Sequence, residues 1–365
     1  MSIRRSFAFL VYRMLGLKNL GSQSIQVTYR DGFIARNNGV VLCSKLDGLD
    51  HDNHFHGRRF TWVNGDWGHS DIPFTVCSAV LTRPAGGNPS YLFNSLGLMS
   101  GAVEVCWPMA AKKEYEFLPG ASQQRGLPHL QQIKEIEGRL YVVGPNSQIF
   151  RRKLSESGQP ISFAGAQGKM FSGKLDQWEI FNQGVEARSL EEFEAEGLSR
   201  GDAMGAFLRY CSLNSIDGFG TQLYAVGDDG VIIHKQEEKW KFLPKATNAE
   251  LRRVKQVDAE IVFVVGDKGT LLSGNAAKGF KIIPTNMSEQ LRALEWFNGK
   301  LYIGSIGGGV FVYDGKSIAK VPQLPDFECL ALHANDGQLL AVGNKEVFLT
   351  GDGIQWRSLQ NPDNM

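Results

Sequence analysis

A short apolar run closed by glycine recurs along the chain. It reads Leu223-Tyr224-Ala225-Val226-Gly227, Val262-Phe263-Val264-Val265-Gly266, Leu301-Tyr302-Ile303-Gly304 and Leu339-Leu340-Ala341-Val342-Gly343, with an earlier copy at Leu140-Tyr141-Val142-Val143-Gly144. The first residues of the later copies step by 39, 39 and 38 (223, 262, 301, 339), and the step from Leu140 to Leu223 is 83, read as about two periods. Almost wholly apolar character over four or five residues predicts a strand covered on both faces. Turn residues follow, as in Gly266-Asp267-Lys268-Gly269 and Gly227-Asp228-Asp229-Gly230, where Gly and Asp tolerate positive φ. A second phrase closes each unit: Lys239-Trp240-Lys241-Phe242-Leu243-Pro244, Gly279-Phe280-Lys281-Ile282-Ile283-Pro284 and Ser317-Ile318-Ala319-Lys320-Val321-Pro322. Proline ends the pairing because it has no N–H to donate. The unit is therefore four antiparallel strands in about 40 residues, the size of a propeller blade.

One such sheet cannot bury both of its faces alone; radial stacking gives each face a neighbour, and closure removes the exposed ends. The reading is an all-β chain, a closed β-propeller of about seven four-stranded blades in a single domain over 1–365. The blades are expected near 22–73, 74–120, 128–182, 210–249, 250–286, 287–324 and 325–362. The segment before residue 22 is available to lend a strand to the last blade. The period breaks at 186–209, where Ser189-Leu190-Glu191-Glu192 forms a capping box and Gly197 a stop, so a short helical insertion is expected between blades.

The repeat resembles propellers of the BNR and Kelch-like superfamily, including the photosystem-assembly type. Thr350-Gly351-Asp352-Gly353-Ile354-Gln355-Trp356 looks like a shortened copy of the Asp-box turn of BNR blades. The combined Gly-His and Trp-Asp signature of WD-type blades is absent. Propellers of this degenerate kind also resemble bacterial immunity proteins encoded beside secreted antibacterial toxins. That resemblance implies a non-catalytic chain whose partner is a protein.

Composition narrows the function classes. With 39 Lys plus Arg against 38 Asp plus Glu, the net charge of +1 argues against a general polyanion binder and predicts no nucleic-acid partner. The 42 glycines in 365 residues exceed the roughly 7% usual in soluble proteins and fit many tight turns. Cys43, Cys77, Cys106, Cys211 and Cys329 show no CxxC spacing and read as buried thiols of a cytoplasmic protein. Arg4-Arg5 and the apolar residues to Tyr12 resemble a signal-peptide opening, but Arg13 cuts it short and no cleavage site follows. No stretch has the apolar length of a membrane span, so no membrane partner is expected.

Candidate chemistry is thin. Glycosidase work of the sialidase type needs an arginine cluster, a tyrosine nucleophile and a paired acid. Arg58-Arg59 and Arg151-Arg152 are adjacent pairs at expected strand ends or loops, and because neighbouring strand residues point to opposite faces, neither pair alone makes a carboxylate clamp. A glycosidase or lyase in the central mouth would require three or more convergent Arg, Tyr or acid side chains there. Asp50-His51-Asp52-Asn53-His54-Phe55-His56 is the one metal-like cluster, with His54 and His56 sharing a face if extended. His69, His129, His234 and His333 stand singly and read as structural. Gly304-Ser305-Ile306-Gly307-Gly308-Gly309 joins two strands and reads as a turn. No cofactor is expected.

The insertion is a different signal. From Glu186 to Asp202 six acids face two arginines. Such a surface, with Glu191, Glu192, Glu194 and Glu196, suits a basic protein partner. Trp67, beside Asp66 in what reads as a polar, glycine-rich loop, is the expected aromatic anchor, whereas Trp178, Trp240 and Trp356 fall at the repeating outer-strand position and read as core. The expected function is a cytosolic immunity protein that occludes a toxin, most concretely a nuclease. An assembly or scaffolding propeller and a mouth-based enzyme are the alternatives.

Overall fold

A computed structural model of the chain describes residues 26–35, 39–49, 56–82, 92–97, 102–107, 112–120, 130–153, 159–164, 170–237 and 239–364. It is a ring of seven antiparallel blades. Blade 1 holds β1 (Val27–Ile34), β2 (Val40–Leu46), β3 (Gly57–Val63) and β4 (Asp66–Ile72). Blade 2 holds β5 (Val76–Thr82), β6 (Leu92–Gly97), β7 (Ala102–Trp107) and β8 (Lys112–Phe117). Then come β9 (Gln132–Ile136), β10 (Arg139–Gly144), β11 (Gln148–Arg152), β12 (Gln159–Ala164), β13 (Met170–Leu175) and β14 (Trp178–Ile180). Two helices follow, α1 (Leu190–Ala195) and α2 (Arg200–Arg209). Blade 4 is β15 (Leu213–Phe219), β16 (Gln222–Gly227), β17 (Ile232–Gln236) and β18 (Lys239–Phe242). Blade 5 is β19 (Leu251–Gln256), β20 (Val262–Gly266), β21 (Leu271–Asn275) and β22 (Gly279–Ile282). Blade 6 is β23 (Leu291–Phe297), β24 (Lys300–Ser305), β25 (Gly309–Tyr313) and β26 (Ile318–Lys320). Blade 7 is β27 (Cys329–Asn335), β28 (Gln338–Gly343), β29 (Val347–Thr350) and β30 (Trp356–Ser358).

The first strand of each blade is innermost, and β1 touches both β5 and β27, so the ring is closed. Seven apolar clusters fill the seven gaps between blades. Leu223 and Ala225 pack with Ile136 and Val143 of blade 3, while Tyr224 and Val226 pack with Leu251 and Val264 of blade 5. Successive side chains of the recurring phrase thus serve opposite neighbours, which is why the phrase is apolar throughout. Its closing glycine has a steric cause. A Cβ on Gly227 would lie 1.7 Å from the Ser212 carbonyl oxygen, and one on Gly266 2.3 Å from that of Glu250. The Asp228 and Asp267 N–H groups donate to those same oxygens, both at 2.9 Å. The chain leaving the second strand is strapped to the entry of the first.

The step of 83 between Leu140 and Leu223 spans one blade, not two. Blade 3 is β9, β10, β11 and β14, and the β12–β13 hairpin leaves it between the third and fourth strands. That hairpin joins the outer edge of blade 2, where β13 runs parallel to β8 with Gly173 opposite Tyr115 and Lys174 opposite Glu116. A Cβ at Gly173 would sit 2.8 Å from the Phe117 ring, so glycine lets the added strand close on the blade. The rest of the excess is the helical pair. Ser189 and Glu192 form the expected capping box, and Gly197 follows the end of α1 at φ 89°.

The first 25 residues lie outside the described ones, and blade 7 draws its four strands from Cys329–Ser358. The seam with blade 1 is stitched by side chains. Asn361 Nδ2 donates to Tyr29 OH at 2.9 Å, Val27 N donates to Asn364 Oδ1 at 3.0 Å, and Lys345 bonds the Val27 carbonyl and pairs with Asp47. Burial pushes the Tyr29 phenol up to about 12, so it stays a neutral member of this seam.

Candidate functional site: the channel mouth and the rim

Innermost strands have a paired edge and an edge that faces the channel, where N–H groups find no strand. Side chains from the preceding blade satisfy them. Ala79 N donates to Asp31 Oδ2 at 2.9 Å, Ile216 N to Gln132 Oε1 at 2.8 Å and Val254 N to Ser215 Oγ at 3.3 Å. Gln256 N donates to Asp217 Oδ2 at 2.9 Å, and Ile34 N to His333 Nδ1 at 3.1 Å. The channel is polar because it closes the ladder from blade to blade.

Around these bonds runs a belt of alternating charge from blade 3 to blade 6: Lys134, Asp217, Lys255 and Glu295. Lys134 Nζ lies 3.9 Å from Asp217 Oδ1, and Lys255 Nζ 2.5 Å from Glu295 Oε1. Burial opposes the charged form of both Lys255 and Glu295. The belt outweighs it, holding the ammonium above its ordinary value and the carboxyl below. Burial first, with Lys134 and Lys255 acting in the same direction against Glu295, pushes His333 down to about 4, so the imidazole is neutral and its Nδ1 is an acceptor. These groups line a cavity of about 580 Å³ with Asp31 and Arg253.

The mouth is thus charged rather than small and apolar, and it meets in number the condition set for a catalytic site. Its side chains are committed, however: Asp31, Gln132, Ser215, Asp217 and His333 to backbone, Glu295 to Lys255. Sequence reasoning passed over this column. Lys134, Asp217, Glu295 and His333 each precede the recurring phrase by six residues (134/140, 217/223, 295/301, 333/339), with Lys255 seven before Val262. A charged column inside an apolar repeat was the available signal.

At the rim, the helical pair carries the expected acids. Arg188 stacks on the Phe193 ring at 4.1 Å and pairs with Glu192 at 3.4 Å and Glu196 at 2.5 Å, while Arg200 lies 3.8 Å from Glu194. Glu191 sits in the first turn of α1, exposed. Two of the four glutamates therefore hold Arg188 in place. Leu198, Met204 and Leu208 are exposed beside them.

Asp66 and Trp67 lie elsewhere, on β4 at the outside of blade 1. Trp67 is on a strand rather than in a loop, opposite Trp62, half-buried and edge-on to Phe60 at 6.2 Å. Only Asp66, at the end of the Asn64-Gly65 turn, is exposed. Blade 1 and the junction of blades 3 and 4 are separated on one side by blades 2 and 3, so the structure does not bring the two sets together. His54 lies outside the described residues. His56 is buried, its Nε2 3.5 Å from Asp71 Oδ1, and that oxygen accepts from Arg58 at 2.8 Å. Among the described residues no three His, Cys, Asp or Glu groups gather as metal ligands.

Arg58 and Arg59 diverge as expected, to Asp71 and to Glu104 of blade 2; Arg151 and Arg152 diverge to Glu179 and to Glu116. Trp178 and Trp240 are buried, their indoles donating to Glu116 Oε2 at 3.0 Å and the Phe181 carbonyl at 2.7 Å. Trp356 is half-buried, edge-on to Tyr302. The turn resembling an Asp-box is built as one: Asp352 Oδ1 accepts from Ile354 N and Gln355 N, both at 2.7 Å.

Ring, channel and rim define a seven-bladed β-propeller. No family model matches the chain. It is 33% identical over 326 residues to the immune protein Tsi7 of Pseudomonas aeruginosa, covering 87% of this chain and 92% of that protein. The chain belongs to the family of that immune protein. Among solved structures it is similar to Sqt1 of Saccharomyces cerevisiae, at 13% identity and a TM-score of 0.57 over 93% of this chain and 87% of that one. It is also similar to YCF48 bound to a D1 peptide, at 11% identity and a TM-score of 0.55 over 90% and 92%. These two likenesses bear on the fold alone. Among the described residues no helix is long and apolar enough to cross a membrane.

Proposed function

We propose that this chain is an immunity protein that binds a cognate antibacterial toxin in the cytosol of the cell that makes it and blocks the toxin without catalysis. The observation that carries this reading is the kinship with an immune protein over nearly the full length of both chains. The mechanism is steric and electrostatic. A rigid disc covers the toxin's active cleft, and the acidic helical pair, with Glu191, Glu192, Glu194 and Glu196, meets a basic surface on the toxin. A nuclease fits that surface best, because a cleft that grips phosphates is basic. Asp66 and Trp67 form a second contact on blade 1, reached only by a partner large enough to extend along the rim.

Co-expression with the toxin encoded beside it is the test. Cells are expected to survive with this chain and die without it; equal death would remove the reading. Replacing Glu191 and Glu194 by lysine should slow association and flatten its salt dependence between about 50 and about 500 mM. The charged mouth supports a second reading, an enzyme working in the channel. Under that reading Glu295→Gln would abolish protection, whereas occlusion predicts that protection survives as long as the ring folds.

A further inference from the structure

Six of the seven innermost strands slip register by one residue near their start. The extra residues are Arg30, Cys77, Asn214, Arg252, Arg292 and Leu330. Such bulges re-aim side chains at the rims of closed sheets. Three of the six are arginines, and Arg253 follows directly and lines the cavity. Arg30, Arg252, Arg253 and Arg292 thus stand near the start of the innermost strands of blades 1, 5 and 6, at one end of the channel, where the other three act on the charge of Arg292.

The acids at this end are already spent. Arg252 takes Asp267 through two bonds of 2.8 and 2.9 Å, pairs with Glu250 and lies 3.9 Å from Asp228. Asp31 accepts from Gly32 N at 2.8 Å and from Ser78 Oγ and Ala79 N at 2.9 Å. Among the described residues, Arg30, Arg253 and Arg292 have no carboxylate within 4 Å, and the one bond of Arg253 goes to the Arg252 carbonyl at 2.9 Å. Cys77, the remaining titratable neighbour, is pushed far up by burial and carries no charge. The three cations repel one another. Burial first, then Arg253, Arg252 and Arg30, bring the Arg292 guanidinium down to about 10, although Asp267 acts in its favour; burial and Arg252 also lower Arg253, although Asp31 acts in its favour from beyond 4 Å. A partly desolvated cation without its counter-ion is costly, and an anion placed among such groups is bound by charge-assisted, bidentate bonds.

We propose that this mouth of the channel is an oxyanion-binding site in which Arg30, Arg253 and Arg292 converge on one carboxylate or phosphate group. The site goes beyond the toxin-blocking reading and does not depend on it. It lies on the ring axis, not on the acidic rim, and selects the opposite sign of charge. A free phosphate ester and a carboxylate presented by a protein partner share the required chemistry.

The test is calorimetric titration and thermal melting of the whole chain with inorganic phosphate and, separately, with glutarate, at ionic strength held constant with sodium chloride. Saturable binding and a rise in Tm are expected with at least one of the two. The preferred anion names the source: phosphate an ester, glutarate a protein carboxylate. Arg292→Gln should weaken binding about tenfold or more while leaving the anion-free Tm unchanged or higher, since it relieves repulsion. Arg30→Gln, at an exposed position that does not endanger folding, should weaken it in the same direction. No response to either anion beyond the chloride control would overturn the proposal, as would binding that persists undiminished in Arg30→Gln and Arg292→Gln.

Discussion

In the channel, acidic and basic side chains are woven into the ring; on the helical pair between blades 3 and 4 they stand in water. Asp217 accepts from the backbone of the next blade and neighbours Lys134 of the previous one, so its place is fixed by three blades at once. Glu191 lies in the first turn of a six-residue helix that contributes one buried side chain, Phe193. The same contrast holds for glycine. Gly227 is pressed against backbone, whereas Gly201 on α2 would place a Cβ in open space, with only Ser199 Oγ at 4.0 Å. Residue type is therefore a poor guide to role here, and position in the ring a good one. The interior is determined by closure, so substitutions there should cost stability, while the rim is at liberty to carry a surface.

The largest effect expected is at Gly227. A methyl group there must displace the Ser212 carbonyl that receives Asp228 N–H, breaking the strap between the second and first strands of blade 4. Gly227→Ala should cost about 3 kcal/mol or more, through overpacking together with a lost buried hydrogen bond. Urea denaturation measures this. A loss below about 1 kcal/mol would mean that the recurring glycine reflects turn preference rather than this contact.

Next is Asp217→Ala, which leaves Gln256 N–H without its acceptor and removes a carboxylate from between Lys134 and Lys255. A cost of about 2 to 3 kcal/mol is expected. Asp217→Asn keeps an acceptor for the N–H and should recover part of it. Glu191→Ala, measured beside them, should stay within about 0.5 kcal/mol. Equal effects at Asp217 and Glu191 would break the distinction between channel and rim.

Much of the ring could be read beforehand, and the reasons are local. The phrase ending at Gly227, Gly266 and Gly343 puts a glycine where a Cβ would strike a neighbour in blades 4, 5 and 7, and the capping box at Ser189 acts within four residues. What escaped was longer in range. The β12–β13 hairpin lengthened one step to 83, and a step of that size mimics two periods. Nothing within the hairpin says that it will pair with β8. The strand 3 to 4 turns of blades 5 and 6 read as turns from their residues, but not as relatives of the turn at 350–356. They need one oxygen only, Asn275 Oδ1 or Asp314 Oδ1 accepting two N–H groups, and so leave little motif behind. The arginines of the mouth come from residues 30, 253 and 292, and only the bulges of β1 and β23 together with closure of the ring make them neighbours. Trp67 was misplaced because its glycine-rich surroundings, Gly65 and Gly68, belong to a hairpin and its strand rather than to a loop.

The smallest expected effect has the opposite sign and lies at the rim. Gly201 follows the N-cap Ser199 and Arg200 in the first turn of α2. Glycine there loses more backbone entropy on folding than alanine would, and the added methyl meets nothing. Gly201→Ala should therefore stabilise α2 by about 0.5 kcal/mol. Because the pair is an insertion, it can open without opening the ring, so the gain belongs in local hydrogen exchange of α2 and not in the global melting temperature. Slower exchange in α2 with an unchanged ring would sharpen the comparison between the two regions. Slower exchange in blades 3 and 4 as well would show that the helices are coupled to the closed interior, and that the rim is less independent than its open glycine implies.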